Sequence, residues 1–268
     1  MNRIDAQFAR LSDLNQAAFI PFLTAGDPDL GATLRVLKGA EDAGAAMIEL
    51  GFPFSDPIAD GPTIQASYTR VLERGQRVTE VFDLVRAARK GCRLPIVAMV
   101  SYSIVFRMGF EAFLDAALAC GIDGATVPDL PVEEAAPLFG LADASDFRLV
   151  CFATPATTES RRRLIAEHAR GFIYYVSVRG ITGARAELPP DLADHIAELT
   201  AVTTVPVAVG FGISEPEHAK AVARAADGVI VGSAIVKRMA AAAEEGHDAS
   251  AAALSFIRTM AAATRDAR

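Results

Sequence analysis

The chain has no tryptophan, three cysteines and four histidines among 268 residues, and only four of its 26 basic residues are lysine. Each scarcity removes something. Cys92, Cys120 and Cys151 are far apart, odd in number and free of any C-x-x-C spacing. That pattern excludes a disulfide framework or a thiolate metal knuckle and reads as reduced, buried thiols. No stretch reaches the ~18 uninterrupted apolar residues of a membrane span. The opening MNRIDAQFARL has an acid among its apolar residues and no apolar h-region, so it does not read as a secretory signal, and the reading is cytoplasmic. No G-x-G-x-x-G or G-x-x-x-x-G-K-[ST] string occurs, so dinucleotides and ATP are not indicated. The formal charge is −7, which argues against a nucleic-acid groove or an anionic membrane as partner. The missing tryptophan carries no mechanistic weight.

What recurs is a short apolar run followed by an amphipathic helical stretch. The runs cover 18–24, 47–52, 95–101, 124–129, 148–154, 172–178, 205–211 and 228–233, with starts 23 to 48 residues apart. Near-continuous apolar strands are expected where helices cover both faces of a parallel sheet. Between them lie patterns such as Val81, Leu84, Val85 and Ala88, at the spacing of one helix face. Gly91, Gly121 and Gly171 close helical stretches as C-caps often do. Eight tightly spaced β/α units predict a single (β/α)8 barrel domain over 1–268, with a doubly wound open sheet as the alternative. The stretch before the first run predicts an extra helix covering the barrel's N-terminal end. The 48-residue gap predicts an insertion after the second strand, a Pro/Asp-rich loop at 53–62 and a helix at 63–74. The last 22 or so residues read as a terminal amphipathic helix packed on the barrel.

The segment IELGFPFSDPIADGP (48–62) carries the chemistry. With Ile48 and Leu50 facing the helices, strand alternation points Met47, Glu49 and Gly51 into the barrel. A glutamate there is costly unless it is paired, protonated or functional, and burial raises its pKa toward the range useful for proton transfer. Asp60 follows on a loop stiffened by prolines, where a turn or helix-cap role competes with a catalytic one. Glycines at the ends of the seventh and eighth strands fall where this architecture often binds phosphate. The donors there are the amides of Gly210 to Ile213 and of Gly232 to Ala234, with the Ser233 hydroxyl. Phe22, Tyr102 and Tyr174 lie near strand ends and fit either an aromatic-accepting pocket or core packing. The run Arg161, Arg162, Arg163 reads as a solvated face. The lysines (38, 90, 220, 237) and histidines (168, 195, 218, 247) all fall in helical stretches. That placement takes a Schiff-base amine and a histidine metal cage away from the mouth of the barrel. An acid/base pair acting on a phosphorylated substrate must then use the substrate's own electron sink.

These segments resemble the tryptophan synthase alpha-subunit family, over nearly the whole chain. The signature at 48–61 is specific; PFLTAGDP (21–28), VPDLP (127–131), GITGAR after the sixth strand, and GFGI and GSAIV at the last two support it. The resemblance implies a barrel lyase that cleaves indole-3-glycerol phosphate to indole and glyceraldehyde 3-phosphate by metal-free acid/base catalysis. It makes Glu49 the main acid/base residue and Asp60 the carboxylate that holds the indole N–H. It puts Phe22, Tyr102 and Tyr174 in the substrate pocket and Gly183, Gly212, Ile213, Gly232 and Ser233 around the phosphate. Thr182 would fix a closed loop near Asp60, while Arg179 and Arg185 receive no role. Pro53 and Asp56 would belong to the surface that docks on the beta subunit in an α2β2 complex. No cofactor is expected in this chain, pyridoxal phosphate residing in the beta subunit that receives the indole. The residues alone leave open another phosphosugar barrel, such as an isomerase, and a partner-activating subunit with degenerate catalysis. The chemistry fits the implied reaction: protonation at indole C3 makes an iminium-like ring that accepts the electrons of the breaking C–C bond. Glu49 in an apolar setting and Asp60 ionised in a polar one would separate the two pKa values.

Overall fold

The structure, a computed structural model, describes residues 1–177, 190–210 and 212–268. Its strands are β1 (Ala18–Thr24), β2 (Ile48–Gly51), β3 (Ile96–Met99), β4 (Gly124–Thr126), β5 (Arg148–Ala153), β6 (Ile173–Val176), β7 (Val207–Gly210) and β8 (Gly228–Val231). Each pairs in parallel with its neighbours in sequence, and β1 pairs with β8, so the sheet closes into an eight-stranded barrel. This is the (β/α)8 architecture, and closure removes the open-sheet alternative. The observed strands fall inside the apolar runs. The helices are α1 (Arg3–Asp13), α2 (Leu30–Gly39), α3 (Pro62–Glu73), α4 (Val78–Ala88), α5 (Tyr102–Met108), α6 (Phe110–Cys120), α7 (Ala136–Ala144), α8 (Glu159–His168), α9 (Leu192–Thr200), α10 (Pro216–Ala225), α11 (Ser233–Glu244) and α12 (Ala249–Arg265).

Two apolar clusters divide the chain as strand alternation requires. Ile48 and Leu50 join the large cluster between barrel and helices. Met47, Val97, Val150, Tyr174, Ala208 and Ile230 fill the barrel itself. The first helix closes the N-terminal end of that interior, as expected: Ile4, Phe8 and Leu11 of α1 are buried in the same inner cluster, and Phe8 meets Phe172 at 5.8 Å between ring centres. Burying each such side chain stabilises the fold by roughly 1.5–3 kcal/mol. The Asn2 side chain caps α1, accepting from the Ile4 amide at 2.9 Å.

The insertion after β2 is anchored to the end of β1. Arg70 of α3 grips buried Asp27 through two bonds of 3.0 and 2.7 Å. The Thr24 and Ser67 hydroxyls meet at 2.6 Å. Gln76 donates to the Ala25 carbonyl at 2.9 Å. This fixes α3, and with it the loop at 53–61, over the C-terminal mouth.

Several expectations are corrected. Gly121 caps α6 in the left-handed conformation, but Gly91 and Gly171 lie two residues beyond the caps Arg89 and Ala169. Lys90 and His247 sit in turns just after helices, because α4 and α11 end earlier than the apolar pattern suggests. The arginine run does lie on a solvated face, as expected, with Arg161 and Arg163 exposed, and each pairs with an acid: Arg161 with Glu133, Arg162 with Glu198 and Arg163 with Glu159. The three cysteines are free and buried. Among the described residues, no helix is long and apolar enough to cross a membrane.

Candidate active site

Glu49 is the third-from-last residue of β2 and only 1% exposed. Its neighbours Ile48 and Leu50 commit the strand to the outer core, so the alternation drives the carboxyl inward. The Thr126 hydroxyl, at the end of β4, lies 3.0 Å from Glu49 Oε1. Oε2 is buried with no hydrogen-bond partner among the described residues. No cation among them pairs with this carboxyl. Burial is the main reason its pKa is pushed up to about 8; the Thr126 bond pulls it down and the charge of Asp60 pushes it up again. A carboxyl in that state holds its proton at neutral pH.

Asp60 ends the loop after β2, one residue before the Gly61 cap of α3. It is 6% exposed. Its pKa is pushed up to about 7, first by burial and then by the negative charge of Asp129. The polar, fully ionising setting expected for Asp60 is therefore not what surrounds it. Tyr68 of α3 and Tyr174 of β6 face the same two carboxylates. Burial raises both phenols well above their usual range, with Asp60 and Glu49 adding to it, so both remain neutral donors. Two glycines make room: a side chain at Gly51 would collide with the Phe22 ring and the Tyr68 hydroxyl, and one at Gly210 with the Tyr174 hydroxyl.

A cleft of about 320 Å³ opens beside Asp60, lined among others by Phe52, Ile58, Tyr68, Met99, Ser101 and Asp129. Glu49 lies deeper in the barrel. A second cavity, about 660 Å³, continues from Asp129 between β4 and β5 toward Phe152 and Arg161. The cleft needs Asp129 to hold its wall: this residue accepts from the Ser101 hydroxyl at 2.6 Å and the Tyr102 amide at 2.7 Å.

The expected residues divide as follows. Phe22 is aligned with Glu49 across β1 and β2 and packs with Tyr68 in an apolar layer at the mouth. Tyr174 sits in the barrel interior, its ring 4.9 Å from Phe152. Tyr102 follows the end of β3 by three residues, next to Ser101 of the cleft wall, where it opens α5 and packs its ring near Phe106 and Phe110 at 5.8 and 6.0 Å. Gly212 has φ +78° with open space where a side chain would be, and the Ile213 side chain is buried. Gly232 precedes α11 without a side-chain cap, and Ser233 begins that helix. The orphan amides of its first turn suit an anion. Thr182, Gly183, Arg179 and Arg185 lie outside the described residues. Asp56 is exposed, but Pro53 is buried directly after β2. Pro53 therefore shapes the loop from beneath and offers no surface to a partner, a correction to its expected role.

Thr126, Tyr68 and Asp129 were missed. The signal for Thr126 is the barrel rule that alternate strands share a layer: a polar residue facing inward on β4 belongs with an inward glutamate on β2. Among the described residues, no group of three or more His, Cys, Asp or Glu is placed to hold a metal ion.

Fold and site together define a (β/α)8 barrel with a buried, proton-holding carboxyl on the inner face of β2. The family model for the tryptophan synthase alpha chain matches residues 8–265. A tryptophan synthase alpha chain from Geobacter sulfurreducens is 47% identical, covering 88% of this chain and 90% of its own. The crystal structure of tryptophan synthase subunit alpha from Legionella pneumophila superposes with a TM-score of 0.92 at 33% identity, covering 98% of both chains. A chain of the tryptophan synthase α2β2 complex from Pyrococcus furiosus superposes at 0.84 with 41% identity, covering 91% of this chain and 98% of that one. This chain belongs to the tryptophan synthase alpha chain family.

Proposed function

We propose that the chain is the alpha subunit of a tryptophan synthase and cleaves indole-3-glycerol phosphate to indole and glyceraldehyde 3-phosphate. The observation that carries this reading is Glu49, neutral at physiological pH, buried, with no described residue hydrogen-bonded to Oε2, and coupled to a second carboxyl, Asp60. Glu49 gives its proton to indole C3. The ring nitrogen takes up the positive charge, and Asp60 accepts its N–H. A pKa of about 7 leaves Asp60 partly ionised before binding, and an N–H donor favours the ionised form further. The Glu49 carboxylate then takes the proton of the glycerol hydroxyl next to the bond. The C–C electrons flow into the iminium, the aldehyde forms, and Glu49 regains the proton it gave.

Gly212, Gly232 and Ser233, with the first amides of α11, hold the phosphate, and neutral amides do so despite the acidic balance of the chain. Gly183 is assigned to the same cradle and Thr182 to the pocket on the family resemblance. Phe22 and Tyr174 bound the ring. Residues 1–268 act as one cytoplasmic barrel domain without a cofactor of their own. Indole passes to a pyridoxal-phosphate beta subunit, docked on the loop that exposes Asp56 and a 72% exposed Ile58.

The test is indole release from indole-3-glycerol phosphate by the purified chain, alone and with a beta subunit. Slow release alone and faster release in the complex is the expected result. Conversion of a phosphosugar without indole would favour the isomerase, and no turnover in either arm the degenerate subunit.

A further inference from the structure

We infer that Thr126 is a positioning residue for Glu49: its hydroxyl occupies Oε1 and thereby makes Oε2 the oxygen that carries the proton to and from substrate. The inference rests on the reading of Glu49 as the acid/base group. The geometry is on the two alternate strands β2 and β4, whose inward side chains share a layer. Thr126 is fully buried, and among the described residues its hydroxyl bonds Glu49 Oε1 alone, at 3.0 Å. A threonine at a strand end is χ1-restricted, so its hydroxyl is held in one place. An ionised carboxylate can only accept, so the contact survives deprotonation only with Thr126 donating. It thus favours the carboxylate and opposes the effect of burial, which is the sense in which it bears on Glu49. The bond leaves Oε2 as the atom whose hydrogen-bonding capacity nothing among the described residues uses.

The other groups that face Glu49 do not perform this task. Asp60 on the loop after β2 raises the pKa of Glu49 by its charge, and Tyr68 and Tyr174 are neutral phenols that bear on it electrostatically. Among the described residues only Thr126 bonds one oxygen and spares the other. The consequence is a two-sided adjustment. Without the donor, Glu49 would be a neutral acid too reluctant to become the base the second proton transfer needs.

The experiment uses the full chain with Thr126→Val, which keeps the shape and removes the donor, and Thr126→Ser, which keeps the donor. Indole release is followed across pH, and the Glu49 carboxyl is titrated by 13C NMR with Glu49→Gln used to assign its signal. Thr126→Val should lower kcat about tenfold with little change in KM, the loss expected for one charge-assisted hydrogen bond. Its Glu49 titration should move up by about one pH unit, and Thr126→Ser should restore both. An unchanged Glu49 titration in Thr126→Val overturns the inference, as does an equal kcat loss in Val and Ser, which would mark a packing role. If the wild-type chain releases no indole, the proposed reaction fails, while the NMR titration still decides whether Thr126 governs Glu49.

Discussion

Two buried carboxyls sit at opposite ends of the barrel, and one strand separates them. Asp123 immediately precedes β4 at the N-terminal end, and Thr126, the contact of Glu49, is the last residue of the same strand. Asp123 is saturated. Arg3 reaches Oδ1 at 2.5 Å, Arg89 reaches Oδ2 at 2.8 Å, and the Ile96 amide donates to Oδ2 at 2.9 Å. Arg89 is itself tied to the carbonyls of Gly121 and Leu94. Among the described residues Glu49 has one hydroxyl, no cation and one oxygen without a hydrogen bond. The lower carboxylate is a lock, with its charge spread over a closed network. The upper one is left with unmet demand, and that demand is what a substrate can satisfy. The contrast also separates roles by position: an acid before a strand, met by arginines from α1 and from the turn after α4, differs in kind from an acid inside one.

The strongest test of the contrast is to neutralise Glu49. Glu49→Gln keeps the shape and the acceptor for Thr126 but removes the transferable proton. Indole release should fall by about a thousandfold or more, equivalent to ~4 kcal/mol of transition-state stabilisation, while circular dichroism and urea midpoint show an intact fold. Near-normal turnover would end the division between an upper working end and a lower structural one.

The matching change below is Asp123→Ala. It strands Arg89, whose side chain is 14% exposed, and removes the acceptor of the Ile96 amide. The expected cost is about 3 kcal/mol of stability, read from urea unfolding, with kcat little altered in the fraction that remains folded. A large drop in kcat with unchanged stability would mean that the lower network reaches the mouth through β4.

How much of this was legible beforehand follows from the same contrast. The strands were readable because helices cover both faces and leave apolar runs without interruption, and the α1 plug because it had an amphipathic pattern ahead of the first run. Glu49 stood out as a charge at an inward position of such a run. Asp60 was found, but its burial was not, since a carboxylate among prolines reads as a solvated turn. What buries it is tertiary: the fixing of α3 to β1 through Arg70 and Asp27. Thr126 was passed over because threonine is ordinary in a strand and its partner lies 77 residues away, so that only the shared barrel layer connects them. The helix that Tyr102 opens was not legible because α5 is only seven residues long, too short to display a helical period. Its start is decided by Asp129, from the next β/α unit.

The pH dependence of stability distinguishes the two ends next. Glu49 has a folded pKa of about 8 and Asp60 of about 7, above the ordinary values of 4.5 and 3.8. Both are raised, so the folded chain binds more protons than the unfolded one between these limits, and its stability falls as pH rises. Their contribution is fully present below about pH 4 and is lost by about pH 8. The expected slope near pH 6 is on the order of 1–2 kcal/mol per pH unit. Glu49→Gln should remove a large part of it, so the variant gains on the wild type as pH rises. Parallel urea midpoints for the two proteins from pH 5 to pH 8 would show that the unpaired carboxyl carries no stability cost.

The smallest effect sharpens the lower end. Asp123 has two cations, and they differ in exposure: the Arg3 side chain is 52% exposed and that of Arg89 14%. Solvent screens Arg3 and supplies its hydrogen bonds when the partner is lost, whereas Arg89 is fixed among carbonyls. Arg3→Ala should therefore cost about 0.5 kcal/mol, alanine suiting the first turn of α1 as well as arginine does. Arg89→Ala should cost several times more, since it leaves the carbonyls of Gly121 and Leu94 without their donor and Asp123 with only the exposed cation. The two urea midpoints decide it. Equal losses would mean that position on α1, and not burial, sets the strength of the lock. The lower carboxylate would then depend on the plug helix, and the contrast with Glu49 would rest on its number of partners and not on how well water is excluded from them.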